Sequence, residues 1–294
     1  MGIFLKIVIA DRISIFVDTV YTEQRIYGGF YLLVATVLFA FQIYCDFYGY
    51  SSIAMGTAKM LGISLMENFN APYLAESVSE FWRKWHISLT SWFKGYLYIP
   101  LGGSRKGKLR KYLNKLIVFL VSGLWHGAQW SFVAWGGING LYQIIGEILQ
   151  PARDKAVSLL KLNRNTFSHR MMHIACTFAL VDLSWIFFRA NRFLDAFNII
   201  KSIFTAKNIS ILFDGSSLYQ CGLDRPNFGL MIVCIIILIF ADICKQKGIL
   251  IRYAIMRQDA WFRYIFVAFA ICSILLFGKY GPTFDKAAFI YFQF

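Results

Sequence analysis

Charge is scarce in this sequence. Asp, Glu, Lys and Arg make up 16% of its 294 residues, where a soluble domain carries about 25%. A water-soluble enzyme of this size would have to cover its surface with charges that are not there, so that class is excluded first. Acidic residues are scarcer still, 16 against 30 Lys and Arg, which leaves a formal net charge of +14. Cysteine occurs six times with no CxxC pair, and five of the six lie inside apolar stretches. They read as small buried residues, not as a disulfide framework or metal site. HExxH, the Walker loop, GxGxxG and the GxSxG elbow are all missing, which removes the zinc-protease, P-loop, dinucleotide and hydrolase readings those motifs carry. The first 21 residues lack a small-residue cleavage site and contain Lys6, Asp11, Arg12 and Asp18, so they do not read as a secretory signal. No internal repeat is evident.

What abounds is apolar sequence. Hydrophobic residues make 58% and aromatics 18%, including 29 Phe, and the mean hydropathy is +0.54. This excludes disorder and fits lipid-facing and interfacial surfaces. A span needs about 20 mostly apolar residues, and the clear candidates are Gly29–Tyr48, Trp130–Leu149, Met171–Phe188, Phe228–Cys244 and Tyr264–Phe277. Leu113–Leu124 is apolar but short, as though it stops at depth. Ile3–Val20 is interrupted by charges, which predicts a bent, interfacial or buried element. The count is six to eight membrane elements, all helical, because the short-range alternation of a β-barrel is absent. The expected fold is an all-α polytopic integral membrane protein in which residues 1–294 form a single membrane domain.

The basic residues gather between the apolar runs. Ser104–Lys115 holds Arg105, Lys106, Lys108, Arg110, Lys111 and Lys115 without an acid, and Arg153–Arg170 and Lys245–Arg263 each hold five basic residues against one Asp. Placing these loops on the cytoplasmic side follows the positive-inside rule and puts Ala190–Asn227, with Asp195, Asp214 and Asp224, outside. A second use of the charge, reception of a phosphate-bearing donor or acidic partner, is compatible with the first. Nucleic-acid binding is not expected, because the cations sit in short loops.

One stretch is unlike a membrane helix. Met66–Tyr73 is a polar, Pro-containing connector, followed by Ser77-Val78-Ser79-Glu80, the pattern of a capping box. An amphipathic, Trp-rich basic helix is then predicted over Phe81–Lys94, with Phe81, Trp85, Leu89 and Trp92 on one face, lying along an interface. Pro100, Gly102 and Gly103 end it and turn the chain.

Four histidines occur. His169 and His173 fall beside a basic loop and read as interfacial. His126 stands in Gly123-Leu124-Trp125-His126-Gly127 between a short apolar helix and a longer one. An imidazole there can take a proton from a hydroxyl near neutral pH, or it can be a structural hydrogen-bonding group between helices. His86, in Trp82-Arg83-Lys84-Trp85-His86, either faces an aromatic groove or is simply an interfacial residue held by aromatic neighbours. Asp46 and Asp182 are intramembrane carboxylates, best read as buried structural partners, although a transporter would also rest on such groups.

Six motifs occur in one order: Cys45-Asp46-Phe47 with Gly49-Tyr50-Ser51, Glu67–Tyr73, Phe81–His86, Tyr98–Gly103, Gly123–Ala128 and the terminal Phe289–Phe294. Together they resemble the membrane-bound O-acyltransferase family, in its bacterial branch of alginate O-acetyltransferases and polysaccharide-acetylating relatives, with teichoic acid D-alanyl transferases more distant. The resemblance implies a helical bundle with interfacial and re-entrant helices in the inner membrane. It implies transfer of an acyl group, acetyl in this branch, from a cytoplasmic thioester co-substrate, acetyl-CoA or an acyl carrier, towards hydroxyls of an exported polysaccharide such as alginate. No tightly bound cofactor or metal is implied. His126 becomes the catalytic residue and His86 its support, both within a core segment 66–150. The donor would meet the basic loops, and an extracytoplasmic partner protein would assist the acceptor side. Relatives of this branch are longer, so the resemblance also implies that helices preceding Gly2–Arg12 are missing. At Asn139 many relatives carry His; Ser52 and Gly95 stand where many carry Asp. D-alanyl transfer to teichoic acid, and an inactive scaffold or transporter, remain the alternatives.

Overall fold

The computed structural model describes residues 1–214 and 217–280; the motif Phe289–Phe294 lies outside the described residues. Every regular element among the described residues is helical. Besides two single 3₁₀ turns, Pro72–Leu74 and Leu218–Gln220, they are in chain order a π-helical stretch Phe4–Ala10, α1 (Asp11–Thr22), α2 (Phe30–Met60), α3 (Val78–Lys84), α4 (Ile87–Phe93), a second π-helical stretch Lys94–Tyr98, α5 (Gly107–His126), α6 (Trp130–Ile148), α7 (Gln150–Leu159), α8 (Phe167–Arg189), α9 (Phe193–Phe204), α10 (Ile211–Asp214), α11 (Arg225–Gln246), α12 (Ile251–Met256) and α13 (Ala260–Phe277). Four of them, α2, α8, α11 and α13, are long and apolar enough to cross a membrane. The protein is thus an all-α membrane protein, as its composition required. The run expected to span at 130–149 is not among the four, because Trp, Gly, Gln and Asn dilute α6; it packs against α5 as a hairpin.

The chain divides into two compact units, one of Met1–Asn70 with the chain from Lys201 onward, the other of Ala71–Ile200. The segment 66–150 straddles this boundary, with both histidine motifs in the second unit.

In the first unit, Leu5, Val8, Ile9, Phe16, Val17 and Val20 are fully buried, and so are Leu32, Ala35, Phe39 and Ile43 of α2. Most of the stretch 3–20 is therefore buried against neighbours, and Lys6, Asp11 and Arg12 find partners inside the unit while Asp18 is exposed. Lys6 Nζ lies 2.9 Å from Asp11 and 2.7 Å from Asp46. The Arg12 guanidinium donates to Asn227 Oδ1, the Val8 carbonyl and the Phe277 carbonyl. Tyr44 donates to Asp242. Membrane helices tolerate ionisable groups when these face the protein interior and pair there. Asp46, on which a transporter reading would rest, is held in such a pair. The start of α2 is closed from the far end of the same unit: Ser202 Oγ accepts from the Gly29 amide at 2.8 Å and Asn208 Oδ1 from the Phe30 amide at 3.1 Å. These side chains satisfy amides that the helix itself leaves without partners.

In the second unit, two expectations need correction. The predicted helix Phe81–Lys94 is not continuous: α3 ends at Lys84, Trp85 is extended, and His86 takes a left-handed conformation with φ 43° before α4 begins. One straight helix would have placed Trp85 and Trp92 on a common face. The break separates them, burying Trp85 and leaving Trp92 half-exposed. The basic stretch Ser104–Lys115 is also not a loop throughout, since its second half forms the first turns of α5.

Candidate active site

The site is built from α3, the α5–α6 hairpin and α8. The α3 start follows from its sequence: Ser77 Oγ accepts from the Glu80 amide, while Glu80 Oε2 reaches back one residue further than the usual capping box and accepts from the Glu76 amide. Lys84 then pairs with Glu80 at 2.7 Å. The capped helix carries Phe81 and Trp82 into the unit's core.

The hairpin is close-packed because glycine permits it. A methyl group at Gly123 would run into the Phe132 carbonyl, and one at Gly136 into the Phe119 carbonyl. That approach brings Trp135 of α6 beside His126, the last residue of α5, with ring centroids 5.2 Å apart and the planes nearly perpendicular. At the other end of α5, the buried Asn114 Nδ2 donates to the carbonyls of Leu101 and Gly103, fixing the turn made by the left-handed Gly102 and Gly103. Lys111 and Lys115 both pair with Glu147 of α6. Arg105, Lys106, Lys108 and Arg110 are exposed.

His126 is buried within a cage of rings. Trp125 stands at 5.0 Å, Trp135 at 5.2 Å and Phe188 of α8 at 5.2 Å, each edge-on. Trp185 stacks on Trp135 at 5.7 Å and touches Trp85 at 5.2 Å. Trp82 meets Trp135 edge-on at 5.6 Å, and its indole N–H donates to Asn139 Oδ1 at 3.2 Å, while Asn139 Nδ2 donates to the Trp135 carbonyl. Asn139 thus makes two hydrogen bonds in a fully buried position.

Both sequence-predicted histidines fall in this unit and outside the four candidate spans. Burial pulls His126 down to about 3 from the usual 6.5, and the proximity of His86 adds to the effect. Burial alone brings His86 to about 4. Both imidazoles are therefore neutral at physiological pH, because removing a charged ring from water costs more than the surroundings return. Ser88 Oγ lies 3.4 Å from His86 Nδ1. A neutral imidazole in a largely apolar enclosure can accept a proton from a hydroxyl and return it to a leaving group.

Trp185, Phe188 and Trp135 were not singled out in the sequence, where they are three aromatics among many. A usable signal was present on α8, since Asp182, Trp185 and Phe188 recur every three residues and share a helix face. His169 and His173 pair with each other, rings 4.5 Å apart, at the exposed start of α8.

The family model for the membrane-bound O-acyltransferase family matches residues 1–181. A protein of Pseudomonas fluorescens named "Probable alginate O-acetylase AlgI" is 41% identical over 189 residues, 64% of this chain and 36% of the relative. The peptidoglycan O-acetyltransferase of Helicobacter pylori is 35% identical over 214 residues, 72% of this chain and 38% of the relative. The teichoic acid D-alanyltransferase of Streptococcus thermophilus is 28% identical over 206 residues, 64% of this chain and 49% of the relative. The chain therefore spans less than half the length of these curated relatives. The matched range takes in both histidine motifs, the Gly-packed hairpin and most of α8, and on it the chain belongs to the membrane-bound O-acyltransferase family.

Proposed function

We propose that this protein acts in a membrane O-acyltransferase that moves an acyl group, acetyl in the first instance, from a thioester donor to hydroxyls of an exported or cell-envelope polysaccharide. The observation that carries the reading is the neutral, ring-enclosed His126 with His86 near it. His126 takes the proton of the incoming hydroxyl as its oxygen attacks the thioester carbonyl. The carbon–sulfur bond then breaks, and the proton passes from the imidazole to the departing sulfur. His86 supports His126 and does not itself take the proton. The aromatic walls keep water from competing with the hydroxyl, which limits hydrolysis of the donor. The relatives named for alginate and peptidoglycan O-acetylation support a polysaccharide acceptor.

In this reading the protein is multi-pass in the cytoplasmic membrane. The exposed Arg105, Lys106, Lys108 and Arg110 face the phosphates of an acyl-CoA or carrier-bound donor, and an extracytoplasmic protein assists transfer to the polymer. The test is the O-acetyl content of the envelope polysaccharide in a strain relying on this gene and carrying His126→Ala. Acetylation is expected to disappear at normal protein level; unchanged acetylation would sink the reading. D-alanyl transfer to teichoic acid is the second reading, favoured by the match to the Streptococcus thermophilus enzyme. Mass analysis of the transferred group separates the two.

A further inference from the structure

Buried polar atoms in folded proteins nearly always have a hydrogen-bond partner, and one without costs roughly 1–3 kcal/mol. Around His126 two atoms break this rule. The indole N–H groups of Trp135 and Trp185 have no hydrogen-bond partner among the described residues, although the side chains are 2% and 1% exposed. The cage does not leave indoles unsatisfied as a matter of course, since Trp82 in the same cluster donates to Asn139. Nor does packing alone call for indole at these places, where Phe would fill much of the space with no stranded donor. The two rings stack with planes 23° apart, and both touch Phe188, which also touches His126. Two unspent donors therefore lie near the imidazole, Trp135 in ring contact with it and Trp185 one ring further out.

We propose that the indole N–H groups of Trp135 and Trp185 bind the acyl oxygen of the donor and stabilise the oxyanion that forms when the hydroxyl attacks. The inference rests on the acyl-transfer reading and adds the residues that complete it. As the hydroxyl oxygen bonds to the carbonyl carbon, the π pair of the C=O bond moves onto oxygen, and the hydroxyl proton goes to His126. The two N–H donors meet the charge on that oxygen. When the pair returns, the carbon–sulfur bond breaks and the thiolate takes the proton from the imidazole. A carbonyl oxygen has two lone pairs, which matches two donors, and fixed donors in a dry site need no reorganisation as charge develops. A third unsatisfied atom, Asp182 Oδ1, sits one turn before Trp185. A water shared by Asp182 and Trp185 is the competing account, and it leaves the Trp135 donor unexplained.

The experiment replaces Trp135 and Trp185 in turn with Phe, and with benzothienylalanine, which keeps the bicyclic shape but has sulfur in place of N–H. Acetyl transfer to the polysaccharide is followed in membranes against acetyl-CoA, beside His126→Ala and with thermal midpoints in detergent. Each replacement is expected to lower kcat by 10-fold to 1,000-fold with little change in KM for acetyl-CoA. The benzothienyl variants should be as impaired as the Phe variants despite restored packing. Full activity of the benzothienyl variants overturns the proposal, because shape without N–H would then suffice. So does a loss confined to thermal midpoint that Asp182→Leu reproduces, which is the signature of a structural water. If His126→Ala remains active, the acyl-transfer reading itself fails; if it is inactive while both tryptophan replacements keep kcat, only the oxyanion assignment does.

Discussion

In the unit that begins the chain, Lys6 is clasped between Asp11 and Asp46, and Arg12 is met by Asn227 and two backbone carbonyls. In the unit of residues 71–200, which also buries the Asp182 carboxyl, the two imidazoles of the site are held neutral, with Trp125, Trp135 and Phe188 around His126. Each device avoids an uncompensated charge away from water, the first by pairing opposite charges and the second by suppressing the charge. The consequences differ. Paired charges are already committed, and their use is to hold Phe4–Ala10, α1 and α2 together. A neutral imidazole is in the protonation state that a general base needs, so the uncharged enclosure is where proton transfer can take place.

The largest effect that would break this contrast is on His126. His126→Ala should lower transfer by 10²–10⁴-fold, the usual range for a positioned acid–base group, while the thermal midpoint in detergent moves little. Loss of folding with retained specific activity would make the imidazole a structural member like Lys6. The converse test is Lys6→Met, which leaves Asp11 and Asp46 facing each other without a cation. It is expected to cost about 3–5 kcal/mol, read as a lowered midpoint and folded yield, and Asp46→Asn in the same chain should recover part of it.

A smaller effect tests how the enclosure is held. Asn139→Leu strands the Trp82 indole and should cost about 1–3 kcal/mol, with a fall in activity accompanying the fall in midpoint. Histidine protonation offers a graded version. The unfolded chain takes up protons near pH 6.5, but folded His86 stays neutral until about pH 4. Stability is therefore flat above pH 7 and declines as pH falls from 6.5 towards 4, by about 1–2 kcal/mol per such group at pH 5. Thermal midpoints of wild type and His86→Gln across pH 5–8 should converge on the acid side. The smallest expected change is at the partly exposed Glu147 pair: Lys115→Met removes one arm while Lys111 remains, and should cost under about 1 kcal/mol.

Legibility from sequence followed the range of the interaction. The capping box at Ser77 and Glu80, the Gly102–Gly103 turn and the apolar runs are read within a few residues; the cap, the turn and four of the five long runs appear where expected. The heptad-like stripe over 81–94 is consistent with one helix, whereas in the fold the chain breaks at His86 and Trp85 packs against Trp185, 100 residues away. Lys6 and Asp11 looked like interruptions of an apolar run until Asp46 on the next helix supplied the countercharge.

The sequence by itself determined the solvent, the helical class and the family, because scarce charge, long apolar runs and ordered motifs are properties of composition and neighbours along the chain. Tertiary structure alone decided which polar groups meet. It placed Trp135 and Trp185 against the histidine cage, gave Asn139 its two bonds and made His86 a left-handed break. Those outcomes depend on which helix faces touch, and burial sets both the neutrality of the imidazoles and the cost of an unspent N–H, quantities that no local stretch of chain carries.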